Sequence, residues 1–240
     1  MRVLGRISYD GSKFSGFQRL NNGLGIQNEL ERVLSIIAKK KIKITGAGRT
    51  DAGVHALDQC IHFDLDINFS LDKLKYALNR LLKDGIKVNS LEKVKDDFNA
   101  RYDVLEKTYE YRILLKEKNP FLVNYTSIIY QNLDISKMQE ASKLFLGEHD
   151  FKNFVSGERL SYIAKIDRID IKNIGKQLII TLKGKSFYRY MVRHIVGALL
   201  DVGLGKCDKS KVKEALENPD KTINFSVAIP NGLYLKKIKY

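Results

Sequence analysis

Apolar residues recur along this chain with two different spacings, and the switches between them predict alternating strands and helices. Val3, Gly5, Ile7 and Tyr9 alternate with Arg2, Leu4, Arg6 and Ser8, the period of a first strand. A turn-rich basic stretch follows over residues 10–18. Ile26, Leu30, Val33, Leu34 and Ile37 take the three-and-four spacing of a helix that ends in Lys39-Lys40-Lys41. Cations in a last turn complement the helix dipole, so this run reads as a solvated helix end. Ile42-Lys43-Ile44 predicts a strand end feeding a glycine-rich loop. Residues 55–63 predict a strand with Ala56, Asp58 and Cys60 on one face. Ser70 caps a second helix carrying Leu71, Leu74, Leu78, Leu81 and Leu82; Gly85 ends it, and Ile86-Lys87-Val88 begins another strand.

Tyr109, Tyr111, Ile113 and Leu115 share one face of a further strand, with Thr108, Glu110 and Arg112 on the other. Asn119-Pro120-Phe121 breaks the pattern and predicts a division into residues 1–118 and 119–240. Asp134 caps a third helix with Ile135, Met138, Ala141 and Phe145 inward, closed by Gly147. Residues 162–173 and 177–183 predict a hairpin turning at Gly175. Residues 187–197 open a helix with Met191, Ile195, Ala198 and Leu199 inward. Val212, Ala215 and Leu216 mark a last helix stopped by Asn218-Pro219, and the tail ends in a basic strand. Strands and helices alternate irregularly with hairpins, which indicates an α+β class rather than a doubly wound sheet.

Composition adds the partner. In 240 residues, 42 Lys and Arg outweigh 28 Asp and Glu, a net charge of +14. Such a field attracts a polyanion, nucleic acid first. A membrane span needs about 20 successive apolar residues, and no such run occurs. The first residues lack the apolar core of a signal peptide, so a cytoplasmic setting is expected, without a membrane. Cys60 and Cys207 form no CxxC pair, and His55, His62, His149 and His194 show no ligand spacing. Neither a metal nor a disulfide scaffold is expected.

The chemistry concentrates in residues 46–56, Gly-Ala-Gly-Arg-Thr-Asp-Ala-Gly-Val-His-Ala. A dinucleotide fingerprint needs glycine where Asp51 stands, and a phosphate loop needs Lys-Ser/Thr where Val54-His55 stand. What remains is a carboxylate beside a guanidinium, Arg49. A nearby cation favours the ionised carboxylate, which can then act as a nucleophile at an anomeric carbon. The alternative is a turn-capping Asp with Arg49 as a surface partner. Likewise, Tyr109 alone reads as core packing, Arg193 as an exposed helix residue, and His149-Asp150 as a self-capping loop under Phe151 and Phe154.

The unbroken string Gly48-Arg49-Thr50-Asp51-Ala52-Gly53-Val54-His55-Ala56 resembles the signature of the tRNA pseudouridine synthases of the TruA family. Further blocks resemble the same family in order. They are Tyr9-Asp10-Gly11-x-x-Phe14-x-Gly16, then Phe98-x-Ala100-Arg101 with Lys107-Thr108-Tyr109-Glu110-Tyr111. Gly147-x-His149-Asp150-Phe151-x-x-Phe154 follows, and then the block from Ser186 to Gly197. The family usually has Trp at Phe17 and Ala-Pro at Ala228-Ile229. The resemblance implies a pseudouridine synthase fold: a mixed, mostly antiparallel sheet flanked by helices, with two similar halves around a central basic cleft. It implies isomerisation of uridine to pseudouridine at positions 38, 39 and 40 of the tRNA anticodon stem-loop, by a homodimer without cofactor or metal. Asp51 inherits the catalytic role, Arg193 its pairing, and Tyr109 a stack on the target base. Arg49, beside Asp51, is expected to hold the flipped-out nucleotide. The rival is a non-catalytic RNA-binding protein on the same scaffold.

Overall fold

The alternation over the first residues builds strand β1 (Arg2–Tyr9), and α1 (Ile26–Ala38) follows. The chain continues through β2 (Thr45–Gly46), β3 (His55–Asp64), α2 (Leu71–Leu81) and β4 (Ile86–Val94). The computed structural model describes residues 1–21, 23, 25–66 and 70–240. The chain divides into two compact units, Met1–Leu105 with Tyr234–Tyr240, and Glu106–Leu233.

In the first unit β1 lies between β3 and β4, antiparallel to both. β2 pairs antiparallel with the end of β3, and the terminal strand β11 (Leu233–Lys239) pairs parallel with its start, Tyr234 opposite His55. Val33, Leu34, Leu74 and Leu78 bury the apolar stripes that their spacing predicts. Leu81 instead stays exposed, because the helix ends there and its last turn leaves the core. Asn79 latches α2 onto β4, donating to the Val88 carbonyl at 3.0 Å and accepting its N–H at 2.7 Å. β3 is buried on both faces from Gln59 to Phe63. The face carrying Cys60 and His62 is covered by chain rather than water: Ala100 N–H donates to His62 Nδ1, and the Tyr240 hydroxyl donates to the Ala100 carbonyl.

The second unit holds β5 (Glu106–Leu115), β6 (Ser127–Ile129), α3 (Ile135–Ser142), β7 (Gly147–Asp150), β8 (Ile163–Ile166), β9 (Arg168–Ile174), β10 (Gln177–Gly184), α4 (Met191–Gly203) and α5 (Lys209–Glu217). β10 runs antiparallel between β5 and β9, and β6 pairs parallel with β5. Asn119-Pro120-Phe121 lies inside this unit, since the strands on either side of that break belong to one sheet. The hairpin turns at Gly175, but its first arm is not one strand. It breaks at Asp167, and β8 leaves to pair with β7. The His149-Asp150 pair sits on β7 beside a fully buried cluster of Phe145, Phe151 and Phe154. The architecture is mixed α+β, with mostly antiparallel pairing flanked by helices.

Candidate active site

The glycine-rich loop is held almost residue by residue. Ala47 N–H donates to the Cys60 carbonyl at 2.8 Å, extending β2 along β3. Gln59 Nε2 donates to the Gly48 carbonyl at 3.0 Å. Phe17 N–H donates to the Thr50 carbonyl at 3.1 Å, while the Tyr9 and Thr50 hydroxyls are bonded at 2.7 Å. Val54 N–H closes a turn onto the Asp51 carbonyl at 3.2 Å. These bonds bury Thr50, leave Asp51 half-buried and turn Arg49 out to solvent. Burial pushes the Tyr9 phenol up to about 12, against its bonds to Thr50 and Gln59, so it stays protonated at any physiological pH.

The turn-rich block 10–18 is part of this loop's support. Gly11 N–H donates to His55 Nδ1 at 3.1 Å, and a Cβ on Gly11 would stand 2.0 Å from the Val54 carbonyl oxygen. Only glycine allows that approach. The Phe17 ring packs on Gly46, closing this side of the loop. His55 stacks on Tyr234 at 4.7 Å, tying the loop's far end to β11.

Tyr109 and Arg193 belong to the second unit. Tyr109 is 8% exposed on β5 and meets Phe187 edge-to-face at 5.1 Å. Arg193 is half-buried in the first turn of α4; its Nε donates to the Ala228 carbonyl at 2.7 Å, and its guanidinium lies 4.6 Å from the Tyr190 ring centre. Tyr190 caps that helix in the left-handed region, φ 61°, which costs a tyrosine backbone strain. Three residues spaced four apart, Arg193, Gly197 and Asp201, hold the strap 226–228 on one face of α4. A Cβ on Gly197 would stand 1.7 Å from the Ser226 carbonyl oxygen. Asp201 accepts both the N–H and the hydroxyl of Ser226, at 2.7 and 2.8 Å. Burial works to raise the Asp201 pKa, but the Ser226 bonds and Lys206 outweigh it and hold the carboxyl below its usual range. Ile229 keeps φ −64°, the value proline would impose, and its carbonyl accepts the Tyr111 hydroxyl at 2.9 Å. Isoleucine therefore leaves the local turn as the family's proline would.

Arg49 and Asp51 thus share one loop in the first unit, while Tyr109 and Arg193 lie on β5 and α4 of the second. Sequence reasoning missed Tyr9, Thr50 and Gln59 as loop anchors. An uncharged amide amid the apolar pattern of residues 55–63 was the available signal, because a buried amide must spend its hydrogen bonds on something nearby.

The profile of the family described as tRNA pseudouridine synthase matches residues 7–103 and 141–240. tRNA pseudouridine synthase A of Staphylococcus saprophyticus is 40% identical, over 99% of this chain and 90% of the relative. The protein of the same name from Streptococcus agalactiae is 41% identical over 100% and 95%. tRNA pseudouridine synthase A 2 of Bacillus cereus is 37% identical over 98% and 97%. With the profile matched over most of the sequence and relatives aligned end to end, the chain belongs to the tRNA pseudouridine synthase family.

Proposed function

We propose that this chain isomerises uridine to pseudouridine at positions 38, 39 and 40 of the tRNA anticodon stem-loop, with Asp51 as the reacting carboxylate. The observation that carries the reading is a half-buried aspartate on a tightly pinned loop of a chain with net charge +14. A carboxylate there weakens attraction to a polyanion, so its retention fits chemistry rather than adhesion. Family membership supports the reaction.

A uridine inside a stem must leave the stack before its glycosidic bond can be reached, at a cost of a few kcal/mol. Asp51 attacks C1′ or abstracts a ribose proton, and the bond from C1′ to uracil N1 breaks. The uracil turns within the pocket and C5 bonds to C1′. The C5 proton goes to solvent, N1 takes one up, and the base is conserved. Arg193 serves as the guanidinium that keeps Asp51 ionised, and Tyr109, propped by Phe187, stacks on the uracil. Exposed Arg49 fills the vacated stack or grips phosphate. The family resemblance supports a homodimer acting in the cytoplasm; sedimentation tests the former.

Tritium release from tRNA labelled at uridine C5 tests the assignment. Asp51→Asn is expected to bind tRNA at least as tightly as the wild type and to release no tritium. Full release would refute the role of Asp51, and a wild type that binds tRNA without release would identify a non-catalytic binder.

A further inference from the structure

We propose that Tyr9, Thr50 and Gln59 form a buried positioning network that fixes the backbone of Gly48-Arg49-Thr50 and thereby aims Asp51. The inference rests on the assignment of Asp51 above and deepens it.

The three side chains come from separate stretches: the end of β1, the loop itself and the middle of β3. All are buried, Gln59 completely. Polar groups taken out of water cost free energy unless bonded, and an apolar trio could hold the same stretches together without that cost. Their bonds are not spread over the fold but converge on one peptide segment. Gln59 Nε2 takes the Gly48 carbonyl at 3.0 Å and reaches the Tyr9 hydroxyl at 3.5 Å. The Gln59 Oε1 atom is itself held by the Cys60 N–H at 3.1 Å, which fixes which way the amide faces. The Tyr9 hydroxyl bonds Thr50 Oγ1 at 2.7 Å. Both residues flanking Arg49 are therefore anchored from beneath while Arg49 faces out, and Asp51 follows directly. A glycine-rich segment has more backbone freedom than any other, so without such anchors the carboxyl would sample many positions. Misplacement by about 1 Å can cost about a hundredfold in rate. Tyr9, Thr50 and Gln59 touch no reacting atom in this scheme; they act through the loop.

The test compares Tyr9→Phe, Thr50→Val, their double variant, Thr50→Ser and Asp51→Asn, using tritium release for kcat and KM and filter binding for tRNA affinity. Tyr9→Phe and Thr50→Val are each expected to lower kcat by about tenfold to a hundredfold. KM and tRNA affinity should stay within about twofold, since the lost bond contacts no RNA. Thr50→Ser, which keeps the hydroxyl, should restore kcat to within about threefold of the wild type. The double variant should be no worse than Tyr9→Phe alone, because that substitution already breaks the bond the two residues share. Wild-type kcat in folded Tyr9→Phe, additive losses in the double, or losses in kcat matched by equal losses in affinity would overturn the network. Should Tyr9→Phe fail to fold, the Thr50→Val and Thr50→Ser pair decides alone. An inactive Asp51→Asn with a fully active Tyr9→Phe sinks only the network, whereas an active Asp51→Asn sinks the assignment beneath it.

Discussion

Replacing Gly11 by alanine tests how rigidly the loop is held from the N-terminal side. The new Cβ would stand 2.0 Å from the Val54 carbonyl oxygen, 2.4 Å from its carbon and 2.9 Å from its nitrogen. All three are backbone atoms, so no rotamer change relieves the clash, and either segment must retreat by more than an ångström. Retreat at residue 11 breaks the bond from its N–H to His55 Nδ1 at 3.1 Å. Retreat at Val54 pulls on the turn that closes on Asp51. Overpacking of this kind costs about 1–3 kcal/mol. For a chain of this size each kcal/mol lowers Tm by about 2–4 °C, so a fall of roughly 2–12 °C is expected. The catalytic effect should exceed the stability effect: about a hundredfold in kcat for a displacement of about 1 Å. Thermal melts by circular dichroism and tritium release at a temperature where the variant is folded measure both. A folded Gly11→Ala protein with wild-type kcat would refute the claim that the two segments are locked together.

The remaining expectations concern stability and reactivity. Asp201→Ala leaves the Ser226 N–H and hydroxyl without their acceptor and should cost about 2–3 kcal/mol by urea titration; a loss below about 0.5 kcal/mol would mean the strap does not depend on it. Burial, with Arg193 beside it, lowers the His194 pKa, and burial, with Arg2 beside it, lowers that of His62. The unfolded chain then takes up protons below about pH 6.5 that the folded one resists, so stability falls as pH drops through that value. Glu29, held below its usual range chiefly by Arg32, loses its contribution at lower pH still. Tm should thus decline from pH 7.5 to 5, and a His62→Gln/His194→Gln variant should show a flatter decline. Cys60 is fully buried, with burial pushing its thiol up to about 12, while Cys207 is half-exposed. A thiol reagent should therefore label Cys207 in the native protein and reach Cys60 only after denaturation, as mass spectrometry of the labelled peptides would show.

Local pattern made the helices and most strands legible, because each is shaped by residues close in sequence. Ser70 caps α2 by accepting the Lys73 N–H, and Gly85 ends that segment with φ 105°, as the residue types predict. The break at Asp167 was also written in the chain: Ala164 and Ile166 point inward with one parity and Ile171 with the other. What local pattern could not reveal were decisions made by distant partners. Pro120 interrupts the chain without dividing the fold, because β6 rejoins β5 beyond it. Thr108 and Glu110 are as buried as Tyr109 and Tyr111, so the polar face of β5 is covered as well as the aromatic one, which alternation alone does not reveal. The loop 46–56 stood out by composition and motif, but its anchors lie on β1 and β3; the lone amide of Gln59 hints at a support there, whereas Tyr9 looks like any other apolar strand residue until its partner Thr50 is in place.

Strand β11 has a consequence for biosynthesis. The edge of β3 beside His55 and Ala56 is closed by Tyr234 and Leu235, and Leu105 N–H waits for the Lys239 carbonyl at 2.9 Å. A ribosome must therefore translate all of Glu106–Leu233 before the first unit can complete its sheet. Until then the nascent chain carries an open strand edge next to its glycine-rich loop, a surface suited to chaperone capture or to pairing with another unfinished copy.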